Sequence, residues 1–271
     1  MRLSIFKNKL NLIFLLALSI AYLYPWLYMI ARSFMSHDPT TDISINSFTL
    51  QHYKTVIGNA GFFRYLFNSF IVLTFVLLSN ISLSLITGYA FARYKFPFKR
   101  LLFVLVLATL MIPRQTLMIP LLDLIVRLGI HNSLLALILP FCLDGFNIFL
   151  MKQYIQTLPT ELEEAARADG ASELEILRQV IYPLSKPAIS VLIINTAIIN
   201  WNSFLFPLIF TDTASVRTLP VALAMLSQGP YATDWGVLMA GAAISSLPLI
   251  AIFYFFQKEI ISGITSGALK D

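Results

Sequence analysis

Residues 161–183 read Glu161-Leu-Glu-Glu-Ala-Ala-Arg-Ala-Asp-Gly170-Ala-Ser-Glu-Leu-Glu-Ile-Leu-Arg-Gln-Val-Ile-Tyr-Pro183, a charged stretch between long apolar runs. The stretch holds six of the chain's 14 acidic residues, although only 12% of the whole sequence is charged. Thr160 with Glu163, and Ser172 with Glu175, stand at the spacing of helix capping boxes. Gly170 between them can end the first helix in a left-handed conformation. The pattern predicts two short capped helices, which favours a docking segment over the alternative of a solvated loop.

The rest of the chain is dominated by apolar runs: 58% of the residues are hydrophobic and the mean hydropathy is +0.77. A helix needs about 20 apolar residues to cross a bilayer. Such runs predict an all-α membrane protein with one membrane domain over residues 1–271. Its six predicted spans are about 10–31, 66–90, 101–123, 133–151, 184–210 and 237–257, with the loop 152–183 between the fourth and the fifth.

The basic residues indicate the orientation of these spans. With both termini in the cytoplasm, thirteen of the 19 lysines and arginines fall on the cytoplasmic side, five fall outside, and Arg114 lies within a span. This asymmetry follows the positive-inside bias and places the 152–183 loop in the cytoplasm. The net charge of +5 is then a signal of topology rather than of nucleic-acid binding.

Several kinds of chemistry have no support in the sequence. There is no Walker A loop, no catalytic nucleophile motif and no paired-cysteine motif, and the three histidines lack ligand spacing. The single cysteine, Cys142, excludes a disulfide within the chain. We therefore expect no catalysis, metal or cofactor in this chain, and an intramembrane enzyme has no residues to support it.

The charged stretch resembles the cytoplasmic signature loop of ABC-importer membrane subunits. The matching residues are Glu164-Ala165-Ala166, Gly170 and Pro183, while Val180 and Tyr182 stand where the family has isoleucine and leucine. Further matches are similar to the second membrane subunit of carbohydrate importers: Asn68-Ser69, Gly88–Arg93, Ile112-Pro113, Leu128-Gly129, Asn132, Leu219-Pro220, Asp234–Gly236 and Gly263–Ala268.

The resemblance implies a type I ABC-importer permease in a bacterial or archaeal cytoplasmic membrane. Its expected partners are a second homologous permease subunit, two ATP-binding subunits that hold ATP and magnesium, and an extracytoplasmic solute-binding protein. It implies that the charged stretch forms a pair of coupling helices that docks on an ATP-binding subunit. The coupling residues would be Glu163, Glu164, Ala165, Ala166, Asp169, Gly170 and Pro183.

Polar residues inside the spans are candidates for the solute path. Pro113 and Pro120 should interrupt the third span, beside Arg114 and Gln115. Arg114 either reaches the outer interface or lines the path. Asn200, Trp201 and Asn202 in the fifth span have the side chains that bind sugars, although they serve equally well for contacts between helices. We expect Asn202 to face the pore, with Asn200 as the alternative.

The loop that follows the fifth span is a candidate for docking of the solute-binding protein. The candidate residues are Ser227, Gln228, Gly229, Pro230 and Tyr231, of which glycine and proline favour an exposed loop. The alternative is a loop that only covers the helix bundle. We expect the solute to be a sugar, oligosaccharide or polyol. The alternatives are a non-carbohydrate solute such as a glycerol phosphate ester, or an ion-driven secondary carrier with Arg114, Asp123 and Asp144 as its charged sites.

Overall fold

The computed structural model describes residues 9–35, 48–59, 61–226 and 234–268, with backbone alone for residues 9–10 and 259–268. Over these residues the chain is helical, and its one β-type pairing is an isolated antiparallel bridge between Met35 and Phe48. The helices are α1 Lys9–Ser33, α2 Gln51–Gly58, α3 Phe62–Arg93, α4 Lys99–Met111, α5 Met118–Arg127, α6 Leu134–Ile138, α7 Gly145–Thr157, α8 Glu161–Ala168, α9 Glu173–Ile176, α10 Tyr182–Leu184, α11 Lys186–Trp201, α12 Leu205–Phe210, α13 Leu219–Leu226 and α14 Trp235–Ala268.

Three of the described helices are long and apolar enough to cross a membrane unbroken: Asn11–Ser33, Phe62–Arg93 and Trp235–Lys258. Three further candidates are bent pairs. They are Lys99–Met111 with Arg114–Arg127 at 98°, Leu134–Phe141 with Gly145–Thr157 at 40°, and Glu173–Leu184 with Lys186–Trp201 at 77°. If each bent pair is one span, the described part of the chain has up to six. The all-α membrane class predicted from the sequence is confirmed.

Proline explains two of the breaks. The third predicted span stops at Met111 and resumes as a 3₁₀ turn, Arg114–Leu117, after Pro113. The predicted interruption is therefore confirmed. The fifth span was expected to run from 184 to 210, but α11 ends at Trp201 and a new helix begins at Leu205. In one continuous helix the ring of Pro207 would meet the carbonyl of Ser203, whereas the first turn of α12 accommodates it.

The chain divides into two compact units, and their boundaries differ from those of the helices. The smaller unit is Met1–Phe63 with Ala222–Leu247. Within it, Ser33 Oγ and Tyr53 OH are hydrogen-bonded at 2.7 Å, and His52 Nε2 lies 2.9 Å from the Met35 carbonyl oxygen. Helix α1 has an 18-residue apolar stretch in which no residue is buried, although Ser33 at its end is. Such a surface suits lipid or a partner helix.

The larger unit, Arg64–Val221 with Pro248–Asp271, contains both candidate sites. One apolar cluster joins the charged stretch to the spans: Tyr89 of α3, Met151 of α7, Ile176 of α9 and Leu192 of α11 are all buried in it. Gly88 lets α3 and α7 approach closely, since a Cβ atom there would lie 2.7 Å from Met151 Cβ. The two remaining predictions on organisation, one membrane domain and the six span boundaries, stay predictions.

Candidate functional site: the charged segment and a cavity between the spans

The turn between α8 and α9 has the geometry expected from its sequence. Gly170 has a φ of +86°, which glycine adopts without a Cβ clash, and the Ala171 N–H donates to the Ala166 carbonyl at 3.0 Å. The capping box at Ser172 is present. The Glu175 N–H donates to Ser172 Oγ at 3.4 Å, and the Ser172 N–H donates to Glu175 Oε2 at 2.8 Å. The second predicted cap and the left-handed glycine are thus confirmed.

The first predicted capping box is wrong. The Thr160 side chain makes no capping hydrogen bond to α8, and Glu163 points into the protein with 2% of its surface exposed. There Arg93 Nε donates to Glu163 Oε1 at 2.7 Å, and Tyr89 OH donates to Oε2 at 3.3 Å. A charge-assisted bond between the buried Glu163 carboxylate and Arg93 outweighs a cap exposed to solvent, because the capping bond competes with water.

The ion pair belongs to a cluster that fastens α8 and α9 to the end of α3. Arg93 also donates to the Leu158 carbonyl at 2.8 Å, and Arg167 Nε donates to Glu173 Oε1 at 2.7 Å. The hydrogen bond to Glu173 raises the pKa of Arg167 above its ordinary value. Partial burial, together with a hydrogen bond to the same carboxylate, raises the pKa of Tyr94. Arg167 therefore stays charged and Tyr94 stays neutral at physiological pH.

The other residues expected to couple to an ATP-binding subunit are accessible to a partner. Glu164, Ala165, Asp169, Gly170 and Pro183 are exposed and Ala166 is half-buried. Sequence reasoning overlooked two apolar neighbours, Leu162 at 47% and Leu174 at 72% exposed. The signal available in the sequence was a leucine among charged residues, at position 162 and again at 174. Glu163 differs from the rest of the set, since its carboxylate contacts this chain itself.

A cavity of about 580 Å³ lies in the larger unit, and most of the residues that line it are apolar. Spans α3, α4, α7 and α11 contribute to its wall, together with the 3₁₀ turn at Arg114 and helix α12. Its polar lining consists of amide and hydroxyl side chains plus one cation and one carboxylate: Asn80, Thr109, Arg114, Asp144, Asn147, Asn195, Thr196 and Asn200. Arg114 Nη2 donates to Asp144 Oδ2, so the two charges are paired with each other.

A buried amide network forms part of this wall. Asn147 Nδ2 donates to Asn80 Oδ1 at 2.9 Å and to Thr196 Oγ1 at 3.0 Å, which links α7 to α3 and α11. Asn80 in turn donates to the Phe141 carbonyl at 2.7 Å. Asn147 Oδ1 is buried and has no hydrogen-bond partner in the structure. Hydrogen bonds between helices hold polar side chains in place where no bulk water competes.

The structure brings some of the predicted solute-path residues together. Arg114 and Asn200 line the 580 Å³ cavity, and both also line a neighbouring cavity of about 300 Å³ with Gln115 and Asn202. Asn202 is exposed and donates to the Ile198 carbonyl at the end of α11. Trp201 is only 2% exposed and its ring lies 5.0 Å from that of Phe70.

The role of these residues in solute binding stays a prediction, and so does the choice between Asn200 and Asn202. Sequence reasoning missed Asn80, Asn147 and Thr196, because isolated amides and hydroxyls in apolar runs give no sign of facing each other. The loop residues Ser227, Gln228, Gly229, Pro230 and Tyr231 lie outside the described residues. Within the described ranges, no group of three or more His, Cys, Asp or Glu side chains could hold a metal ion.

Comparison with known proteins identifies the family. A family model described as the binding-protein-dependent transport system inner membrane component matches residues 80–265. The arabinooligosaccharides transport system permease protein AraQ of Bacillus subtilis is 34% identical over 275 residues, covering 98% of this chain and 97% of that protein. The trehalose/maltose transport system permease protein MalG of Thermococcus litoralis is 35% identical over 277 residues, covering 100% of this chain and 99% of that protein.

A solved structure shares the fold. A chain in the crystal structure of a bacterial ABC transporter involved in the import of the acidic polysaccharide alginate superposes with a TM-score of 0.79 at 22% identity. The superposition covers 92% of this chain and 94% of that one. The chain is therefore similar in sequence and length to these relatives and similar in fold to the solved structure. The chain belongs to the family of binding-protein-dependent transport system inner membrane components.

Proposed function

We propose that this chain is the membrane-spanning permease subunit of an ABC importer for a neutral carbohydrate, with oligosaccharides as the favoured class. The observation that carries the substrate class is the 580 Å³ cavity, in whose largely apolar wall the polar side chains are amides, hydroxyls and one ion pair. Amides both donate and accept hydrogen bonds, as sugar hydroxyls require. The two relatives that are named for oligosaccharide and disaccharide transport support this assignment.

A glycerol phosphate ester suits the cavity less well. Phosphate recognition uses arginine forks that are free to bind two anionic oxygens. Arg114 is the only basic side chain in the described lining of this cavity, and it already donates to Asp144. A neutral solute needs no uncompensated cation, so the pairing favours the carbohydrate over the phosphate ester.

Uptake into proteoliposomes tests the substrate class. The chain would be purified from its native membrane with the subunits that accompany it, and reconstituted with the solute-binding protein. We expect uptake of a labelled neutral oligosaccharide that excess unlabelled glycerol 3-phosphate leaves unchanged. Uptake of glycerol 3-phosphate with none of the oligosaccharide would overturn the carbohydrate assignment.

The energy for transport would come from other polypeptides. The docking surface for one of two ATP-binding subunits, which bind ATP and magnesium, would include the exposed residues Glu164, Ala165, Asp169, Gly170 and Leu174. The two permease subunits would then move between inward-facing and outward-facing states as the ATP-binding subunits close. Glu163 would act from inside, by holding the docking helix on Arg93 of the second span.

Charge reversal at the proposed docking surface tests this docking. We expect Glu164→Lys to lower co-purification of the ATP-binding subunit and the ATP hydrolysis that substrate stimulates. Arg178→Glu is the control, because it reverses another exposed charge outside α8. Glu175→Lys would not serve, because it breaks the cap at Ser172. Wild-type values in Glu164→Lys would remove Glu164 from the docking surface.

Both termini and the 152–183 segment would lie in the cytoplasm. Two exposed alanines make a matched pair for a labelling test, Ala168 in the docking segment and Ala214 in the predicted outer segment. In a Cys142→Ala background, an impermeant thiol reagent added to intact cells should label Ala214→Cys and spare Ala168→Cys. The reverse pattern would invert the proposed topology.

A further inference from the structure

An ion pair connects the breaks of two bent candidate spans. Arg114 opens the 3₁₀ turn that follows Pro113, and Asp144 is the N-cap of α7, just after the bend between Leu134–Phe141 and Gly145–Thr157. Asp144 uses both carboxylate oxygens. Oδ2 accepts from Arg114 Nη2, and Oδ1 accepts from the Phe146 N–H at 2.8 Å.

These two side chains determine the charge of the cavity wall. Among the described residues that line the 580 Å³ cavity, Arg114 and Asp144 are the only charged ones. Their side chains are 40% and 20% exposed, so both remain accessible from the cavity that they line. The neighbouring 300 Å³ cavity includes Arg114 and no acidic residue in its described lining. The neutrality of the wall therefore depends on a single carboxylate.

We propose that Asp144 is a specificity-determining residue that makes the cavity selective for uncharged solutes by cancelling the charge of Arg114. The inference rests on the proposed function, since it assumes that the solute passes through this cavity. Without the carboxylate, the Arg114 guanidinium offers its planar donors to any anionic group that enters. The same cavity then favours carbohydrates that carry a carboxylate, such as uronates.

Substitution by asparagine separates the charge of Asp144 from its structural role. Asparagine is as good an N-cap residue as aspartate, so Asp144→Asn retains an acceptor for the Phe146 N–H and the start of α7. It removes the negative charge that Arg114 faces. The attraction between an arginine and a carboxylate in a partly desolvated site is large enough to change relative affinity about tenfold.

The exposed pair Asp123 and Arg127 supplies a matched control. Asp123 accepts a hydrogen bond from Arg127 at 2.8 Å, its side chain is 62% exposed, and it is absent from the cavity lining. Asp123→Asn therefore makes the same chemical change and the same change in net charge, away from the cavity.

Equilibrium binding to the assembled transporter in nanodiscs, without the solute-binding protein, tests the proposal. The probes are a neutral trisaccharide and its uronate analogue of the same length. We expect Asp144→Asn to raise the affinity for the uronate about tenfold relative to the neutral sugar. Asp123→Asn should leave the ratio unchanged, Arg114→Gln should shift it against the uronate, and the double variant Arg114→Gln with Asp144→Asn should restore it.

An unchanged ratio in an Asp144→Asn transporter of normal abundance would overturn the proposal, as would an equal shift in Asp123→Asn. If Asp144→Asn does not assemble, Arg114→Gln decides, because a ratio equal to that of the wild type would overturn it. Failure of the proposed function looks different. In that case the wild-type transporter binds glycerol 3-phosphate and neither trisaccharide.

Discussion

Removal of the Glu163 carboxylate should destabilise the protein far more than the same change at the neighbouring Glu164. Glu163 is 2% exposed and bonded to Arg93 and Tyr89, whereas Glu164 is exposed. Loss of one partner of a buried ion pair costs about 3–5 kcal/mol of unfolding free energy. Arg93 keeps 13% of its side-chain surface exposed and a bond to the Leu158 carbonyl, so the cost belongs at the lower end, about 3 kcal/mol for Glu163→Ala.

Glu163→Gln should be milder, at about 1 kcal/mol, because glutamine keeps an acceptor and loses only the charge. The free energy of unfolding would be measured by denaturant titration of the purified chain in detergent micelles. Glu164→Ala should change it by less than about 0.5 kcal/mol, as surface substitutions do. A double-mutant cycle with Arg93→Met isolates the pair, and we expect its two single effects to be strongly non-additive.

Equal effects of Glu163→Ala and Glu164→Ala would refute the reasoning, since it depends wholly on the difference in burial and pairing. Additive effects of Glu163→Ala and Arg93→Met would refute the pairing itself. The same variants also report on coupling. If Glu163 positions the docking helix, Glu163→Gln should lower the ATP hydrolysis stimulated by substrate more than it lowers membrane abundance.

Two further predictions concern packing and capping in the larger unit. Gly88→Ala should cost about 1–3 kcal/mol because its Cβ would lie 2.7 Å from Met151 Cβ and 3.0 Å from the Lys152 nitrogen. The control is Gly58→Ala, where no atom lies within 4 Å of the added Cβ. It should leave the free energy of unfolding unchanged or raise it. An equal loss of stability in both variants would contradict close packing at Gly88. Ser172→Ala should cost about 1 kcal/mol by removing the cap of α9, and a loss restored by Ser172→Asn but not by Ser172→Val would identify capping as the cause.

The sequence was most informative where the determinants are local. The Ser172 cap, the left-handed Gly170 and the break at Pro113 each depend on a few neighbouring residues, and the structure has all three. Thr160 and Glu163 have the same local pattern as Ser172 and Glu175, yet the structure uses Glu163 differently. Arg93, 70 positions away in sequence, binds that carboxylate instead, because the Glu163 side chain is buried.

The candidate site followed the same division. Arg114 and Asn200 drew notice as polar residues in apolar runs, and both line the cavity. Sequence reasoning did not single out Asn80, Asn147 and Thr196, which line the same cavity. The contact between Asn80 and Asn147 spans 67 positions, and it depends on how α3 packs against α7 rather than on a motif. The apolar pattern predicts that a span exists. The direction in which each polar side chain points depends on which helices pack against that span.

The most direct test of the account is the energy source for uptake of a neutral oligosaccharide by the reconstituted transporter. The account predicts that uptake requires the solute-binding protein outside and ATP inside the proteoliposomes, persists when an uncoupler abolishes ion gradients, and falls sharply in Glu164→Lys. Uptake that continues without ATP and collapses with the uncoupler would contradict it, and would identify the chain as an ion-driven carrier.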